Sequence, residues 1–390
     1  MEPYKFFISE MKVPLKIFVN QDQIDKLEPE CIKQAIRLSS LPFAFHHTIL
    51  MPDAHVGKGS PIGMVFASQN YILPNVVGVD IGCGMCFVKS NKFVKDIDKD
   101  TIKNIMSDIR KKIPIGTGGK RSNIEIGKKY LPTSKTTLPI VEKEIHNSLV
   151  SMGTLGSGNH FIELQENEDG YLCIMIHSGS RNLGLKVATY YNNLALKYSN
   201  VESEIPYLHI ESDEGKLYFE EMKYCVEYAL KNRFVMIDII KESILNYIDC
   251  LFEPMINIAH NYAAMEEHYG SKVLVHRKGA TLADKETIGI IPGSQGTSSY
   301  IVHGKGNQES FMSSSHGAGR ILSRTAAKKN LNLKEQKDIL DKQNIIHSIR
   351  TEKDLDEAPG AYKDIDWVIS QQEDLIEVMH KLKPIAVIKG

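Results

Sequence analysis

Residues 76–85 read VVGVDIGCGM, an apolar run that ends with a carboxylate and a thiol three positions apart. Gly78, Gly82 and Gly84 interrupt it, each removing a side chain that a buried strand would pack. A backbone loosened in this way lets Asp80 and Cys83 face one centre. Histidines occupy comparable places: His160 in GTLGSGNHF (153–161), His177 in HSGSRNLG (177–184) and His260 after an apolar run. Singly, each has an ordinary reading as a satisfied structural histidine or a small buried thiol. Together they supply N, O and S donors suited to a transition metal. Ligand softness alone points to zinc. Five donors exceed the needs of one tetrahedral ion, so the set suits two metals that share a ligand.

Three further stretches carry polar chemistry. In HGAGR (316–320), a histidine nitrogen can attack a phosphoryl group if a partner holds the other nitrogen, and Arg320 can steady the developing charge. PGSQGTSS (292–299) is either a nest for an anion or nucleobase, or a tight turn. The tract 110–130 carries Arg110, Lys111, Lys112, Lys120, Arg121, Lys128 and Lys129, and reads as a solvated basic surface or as a loop that grips phosphates. GTGGKR (116–121) lacks the spacing of a P-loop.

Positioning these residues requires many strand ends. Glycine clusters with polar residues at 52–63, 78–85, 153–161, 177–184, 276–281, 292–299 and 316–320, which suggests one site assembled from loops across the chain. Short β-like runs lie at 62–67, 85–89, 161–164, 171–176, 272–276, 287–291, 299–302 and 385–388. Ile102, Ile105, Met106, Ile109 and Ile113 follow helical spacing, with Asp98 or Asp100 as the cap. Residues 217–248 and 370–381 are further helical candidates. Strands and helices mix without regular βαβ alternation, which predicts an α+β fold. One large domain spans 1–390, with 217–248 as a helical excursion within it.

Composition narrows the class. The chain has 390 residues, 42% hydrophobic and 24% charged, in the range of soluble globular proteins. No apolar run reaches membrane-spanning length, and the N-terminal MEPYKFFISEMKV lacks a secretory pattern, so a cytoplasmic location is expected. Six scattered cysteines in apolar surroundings suit reduced core thiols. Net charge is −1, so any nucleic-acid partner must be held by a local patch.

In this order, PDAHVGKGSPIG, GVDIGCGM, GTLGSGNHFIEL, HSGSRNLG, HNYAAMEEH, VHRKGAT, IPGSQGTSSYI, SSHGAGR, EAPGAYKDID and the terminal KG resemble the signatures of the RtcB family of GTP-dependent RNA ligases. The likeness runs over roughly residues 50–390. It implies an RtcB-like domain of mixed β-sheets flanked by helices. It also implies joining of RNA 2′,3′-cyclic phosphate or 3′-phosphate ends to 5′-hydroxyl ends, with GTP and manganese. By motif, Asp80, Cys83, His160, His177 and His260 would bind two Mn²⁺ ions with Cys83 bridging, so manganese replaces the zinc suggested by softness. His316 would attack the GTP α-phosphorus to give a histidine–GMP intermediate, and GMP would then pass to the RNA 3′-phosphate. Guanylate contacts would come from Asn159, His260, Asn261, Pro292, Gly293, Ser294, Gln295, Ser299, the backbone of His316, Gly317, Ala318 and Gly319, and Lys389.

The chain departs from the family pattern at Gln295, where methionine is expected, at Leu185–Lys186, and in its short length. These bear on RNA preference, on repair against tRNA splicing, and on the need for an archease-like activator. Two rival functions keep part of the pattern. A binuclear phosphoesterase would need the metal ligands without His316 or Lys389, and a non-catalytic RNA-binding protein would have lost one of these groups.

Overall fold

The computed structural model describes residues 3–198 and 205–390. Two sheets dominate. A six-stranded sheet runs in the order Tyr4–Phe6, Leu15–Ile17, Ala44–His55, Ile62–Ser68, Ser271–Lys278, Asn261–His268. It is mixed, because Leu15–Ile17 pairs parallel to Ala44–His55. A seven-stranded antiparallel sheet runs Ile256–Ala259, Gly84–Phe93, Tyr171–Ser178, Phe161–Asn167, Ile376–Lys389, Ser299–Gly304, Ile288–Ile291. With helices on their faces, the sheets form the single α+β domain expected, and all eight β-like runs fall on strands, with only Thr287 of the run 287–291 lying outside its strand.

The helix at Lys99–Lys112 matches its apolar pattern. Asp98 caps it, accepting from the Asp100 and Thr101 amides at 3.0 and 2.8 Å. Its buried isoleucines meet Cys86, Val88, Ile174 and Ile176 of the seven-stranded sheet. The stretch 217–248 belongs to a helix at Asp213–Leu245, started by Ser212, whose side chain accepts from the Gly215 amide. Met236, Ile240 and Ile244 of this helix enter the same core, while Tyr218, Met222 and Cys225 enter a second. The helix thus lies within the body of the domain and packs beneath strands Gly84–Phe93 and Tyr171–Ser178.

Residues 370–381 are not helical. A short helix stops at Ser370, and Ile376–Lys389 is a strand paired with both Ser299–Gly304 and Phe161–Asn167. Leu375, Val378, Met379 and Leu382 mimic helical spacing because a bulge interrupts the register beside Val378 and leaves Val378 and Met379 both exposed. Long-range pairing overrides the local pattern here.

The chain crosses between sheets at single residues. His260 separates Ala259 of the seven-stranded sheet from Asn261 of the six-stranded one. Gly279 separates Lys278 from Ala280–Leu282, which pairs with Ser313–Ser315. The functional loops gather at these junctions.

Candidate active site

Strand register assembles the candidate metal donors. Gly84 pairs with both Ala259 and Ser178, and His177 lies opposite both Met85 and Phe161. Cys83 precedes the first of these strands, His160 precedes Phe161, and the Cys83 carbonyl accepts from the His260 amide at 2.8 Å. Gly82 has φ +76°, and a Cβ there would lie 2.8 Å from Val226 Cα of the long helix. Glycine therefore lets the turn carrying Asp80 and Cys83 lie directly on that helix.

The donors converge in two groups that share Cys83. Asp80, Cys83 and His160 have ligand atoms within 4.8 Å of one another, as do Cys83, His177 and His260. Cys83 Sγ lies 3.5 Å from His160 Nε2 and 3.2 Å from His177 Nε2. Each of these histidines donates its other nitrogen to a carbonyl: His160 Nδ1 to Leu155 at 3.1 Å and His177 Nδ1 to Asn159 at 3.0 Å. Both Nε2 lone pairs therefore point inward. His160 Nε2 also faces Asp80 Oδ2 at 3.0 Å. Two acceptors at that distance need a cation between them, either a proton or a metal. His260 Nδ1 is buried with no hydrogen-bond partner among the described residues. These features fit a divalent metal pair.

The electrostatics agree with that fit. Burial, followed by neighbouring imidazoles, pushes His177 and His260 well below the ordinary histidine range and keeps both imidazoles neutral, the form in which a histidine can bind a metal. Burial acts to raise Asp80, but the His160 hydrogen bond and charge hold it below the usual carboxylate range. Burial drives the Cys83 thiol well up, and a bound divalent cation reverses that preference outright.

His316 follows strand Ser313–Ser315, and its ring centroid is 4.8 Å from that of His260. Fully buried Asp53, at the end of strand Ala44–His55, accepts through Oδ2 from His316 Nδ1 at 2.6 Å. The same oxygen accepts from the His316 and Gly317 amides at 3.1 and 3.3 Å. Gly319 has φ +73°, and a Cβ there would come within 2.1 Å of the Asp53 carbonyl oxygen, so this approach requires glycine. Lys363 braces the other side of Asp53, with Nζ on the Pro52 and Ala54 carbonyls at 3.0 and 2.7 Å.

A cavity of about 740 Å³ is lined by Asp80, Cys83, Asn159, His177, His260, Asn261, Pro292, Gly293, Ser294, Gln295, His316, Gly317, Ala318, Gly319 and Lys389. His160 lies buried beside it, bonded to Asp80. Ser299 does not line the cavity. Its hydroxyl accepts from the Gly293 amide and supports the 292–295 loop from behind. Lys389 ends a strand opposite Phe161, with its ammonium 5.1 Å from that ring's centroid. Burial lowers its pKa. Nearby Glu163 also lines the cavity, and burial pushes its carboxyl up to about 7.

The family model described as tRNA-splicing ligase RtcB matches residues 34–147 and 133–390. The RNA-splicing ligase RtcB of Escherichia coli (strain K12) is 35% identical over 394 aligned residues, covering 93% of this chain and 95% of that protein. The chain belongs to the RtcB family. The tRNA-splicing ligase RtcB of Thermococcus kodakarensis is 30% identical over 466 aligned residues, covering 98% of this chain and 96% of that protein. RNA-splicing ligase RtcB homolog 1 of Entamoeba dispar is 32% identical, covering 100% and 89%. The longer archaeal alignment implies insertions absent here, whereas the E. coli relative aligns over a length close to this chain's own.

Among its departures from the RtcB family pattern, Gln295 is accommodated by donating to the Glu357 carbonyl at 2.8 Å. Leu185 and Lys186 lie on the helix Asn182–Tyr198, away from the cavity lining. Arg320 is committed to protein partners, namely the Leu322 and Asp356 carbonyls, the Glu357 carboxylate and the Tyr362 hydroxyl, so it anchors its loop. The basic tract 110–130 stays off the cavity. Lys112 pairs with Asp108 and Glu242, and Arg121 binds the Met152 and Gly153 carbonyls.

Sequence reasoning missed Asp53 and Glu163. Asp53 lies inside the PDAHVGKG cluster, so glycine density marked its loop while nothing singled out the carboxylate. Glu163 reads as an ordinary strand residue. Only the pairing of its strand with Ile376–Lys389 brings it near Lys389.

Proposed function

We propose that this chain is an RNA ligase that joins RNA ends bearing a 2′,3′-cyclic phosphate or 3′-phosphate to ends bearing a 5′-hydroxyl, using GTP. The observation that carries this reading is the Asp53–His316 pair at 2.6 Å, with His316 on the wall of a cavity that Asp80, Cys83, His177 and His260 also line. With Nδ1–H donated to a buried carboxylate, His316 keeps its lone pair on Nε2, where a nucleophile needs it. Nε2 attacks the GTP α-phosphorus, the N–P bond forms as the α–β P–O bond breaks, and pyrophosphate leaves. An RNA 3′-phosphate oxygen then takes GMP from His316, and the 5′-hydroxyl displaces GMP as the strands seal. A cyclic phosphate is first opened by water.

Asp80, Cys83, His160, His177 and His260 would hold two Mn²⁺ ions, with Cys83 common to both. Bound there, the ions act as Lewis acids on phosphoryl oxygens. The 292–295 and 316–319 loops, Asn159, Asn261 and Lys389 would grip the guanylate, with Ser299 supporting the first loop. The reading extends to a cytoplasmic enzyme of RNA repair or tRNA splicing, and ligation assayed with and without an archease-like activator decides whether one is needed.

Intact mass spectrometry after incubation with GTP and Mn²⁺ tests the chemistry. The wild type is expected to gain the mass of one GMP, and His316→Ala is expected to gain none. A wild type without an adduct sinks the ligase mechanism, whereas an adduct surviving in His316→Ala moves the nucleophile elsewhere. Adding RNA with a cyclic phosphate and a 5′-hydroxyl partner separates ligation from simple phosphoesterase action.

A further inference from the structure

Beneath the donor cluster, the long helix Asp213–Leu245 presents two adjacent polar side chains, Asn232 and Arg233, both fully buried. The Arg233 guanidinium donates through Nε to Asn257 Oδ1 at 2.7 Å. Its terminal nitrogens donate to the carbonyls of Gly82 at 3.1 Å, Ser178 at 2.7 Å and Ile258 at 3.3 Å. None of these partners is a carboxylate. A buried cation with no ion-pair partner among the described residues is expensive to desolvate, and its hydrogen bonds go instead to backbone beside the donor residues. The partners are informative: Gly82 precedes Cys83, Ser178 follows His177, and Ile258 lies two residues before His260.

Asn232 completes the set. Its Oδ1 accepts from the Gly153 and Thr154 amides at 2.7 and 3.2 Å. Its Nδ2 donates to the Thr154 and Gly179 carbonyls and the Ser178 hydroxyl. Thr154 adjoins Leu155, whose carbonyl orients His160 and also accepts from Ser178 Oγ at 2.7 Å. Two neighbouring residues of one helix therefore touch the segments that carry Cys83, His160, His177 and His260.

We propose that Asn232 and Arg233 are positioning residues, a staple that holds four ligand-bearing segments at one point before any ion arrives. The inference rests on the metal reading above. A planar guanidinium suits this task because its rigid fork fixes several carbonyls at once, which the single ammonium of lysine cannot do.

Titration of the full chain with Mn²⁺ alone, followed by electron paramagnetic resonance, measures stoichiometry and affinity. Co²⁺ in its place gives a thiolate-to-metal absorption band that reports Cys83 ligation. The wild type is expected to bind two ions. Arg233→Met is expected to melt cooperatively without metal, yet to bind ions about 10-fold or more weakly with a reduced thiolate band. Arg233→Lys, which keeps the charge and loses the fork, is expected to remain weak. Wild-type affinity in either variant overturns the staple. If neither variant melts cooperatively, Asn257→Ala decides: weaker binding supports the staple, and unchanged binding overturns it. A wild type that binds neither ion overturns the metal reading and this inference with it, whereas two ions bound equally by wild type and Arg233→Met overturn the inference alone.

Discussion

A histidine is a useful phosphoryl acceptor only while one ring nitrogen keeps its lone pair, and whatever holds the other nitrogen decides that. Asp53 does so for His316 through one oxygen that also accepts two backbone amides of the same loop. Burial acts to raise the Asp53 pKa, but the charge and hydrogen bond of His316, with Lys363 behind, hold it below the usual carboxylate range. The carboxylate thus stays ionised beside the imidazole and favours one tautomer. Asp53→Asn preserves shape but removes the charge: because two backbone amides already donate to this oxygen, the amide oxygen takes its place, and the imidazole loses the anion that fixes its tautomer and steadies the positive charge it gains on attack. The rate of GMP-adduct formation is then expected to fall by roughly 10²–10⁴, as for loss of the orienting carboxylate in serine hydrolases. Single-turnover mass spectrometry measures this directly, and an unchanged rate would remove Asp53 from the mechanism.

Among the elements, strands were easier to read than their partners. Runs such as Leu172–Ile176 and Ile385–Ile388 are apolar enough to announce a buried strand, and the glycine clusters announced strand ends. The pairing that puts Phe161 between His177 and Lys389 left no local trace, because register is a property of two distant segments. For the same reason the long helix could be found by periodicity while the role of Asn232 and Arg233 could not. The hairpin Asn261–His268/Ser271–Lys278 shows what such pairing costs and gains. Arg277 is fully buried and bonds Glu266, the Ser313 hydroxyl and the Phe311 carbonyl, tying the hairpin to the strand that delivers His316. Burial works to raise Glu266, yet Arg277 and His268 pull it down to about 2. A carboxyl depressed in the folded state stabilises above its unfolded pKa and loses that contribution as pH falls through the folded one. The contribution is therefore complete above about pH 5 and gone near pH 2. Glu266→Gln is expected to cost about 3 kcal/mol at pH 7 and to flatten the acid limb of the stability profile, measured by denaturant melts across pH. A variant that keeps the wild-type acid limb would show that this pair does not govern it.

Across the whole molecule, the candidate site lies where the two sheets meet. The seven-stranded sheet contributes the segments of Cys83, His160, His177 and Lys389, and the six-stranded sheet contributes Asp53 and Asn261, with His260 at the crossing. An ion held at this junction ties together segments 180 residues apart, from Asp80 to His260, so its binding energy should count toward global stability. A ligand at 100 times its dissociation constant adds about 2.7 kcal/mol to a fold that binds it only when native. For 390 residues, that corresponds to a rise in Tm of about 3 °C. Mn²⁺ is therefore expected to raise the wild-type Tm by about 3 °C for each ion held at that excess, roughly 6 °C for two, and a chelator to reverse it. In the stretch 83–86, CGMC, the two cysteines separate a ligand effect from a packing effect. Cys83 belongs to both donor groups, so Cys83→Ala is expected to lose the Mn²⁺-dependent shift. Cys86 is buried among Val88, Ile162 and Ile176 on the core side of the same strand. Cys86→Ala is expected to lower the metal-free Tm through the cavity it leaves, at a cost of about 1 kcal/mol, while keeping the full shift with Mn²⁺. Differential scanning calorimetry with and without Mn²⁺ reads both quantities in one series. If Cys83→Ala kept the shift, the shared-thiolate arrangement would be wrong, and if Cys86→Ala lost it, the division of that motif into one ligand and one core residue would be wrong.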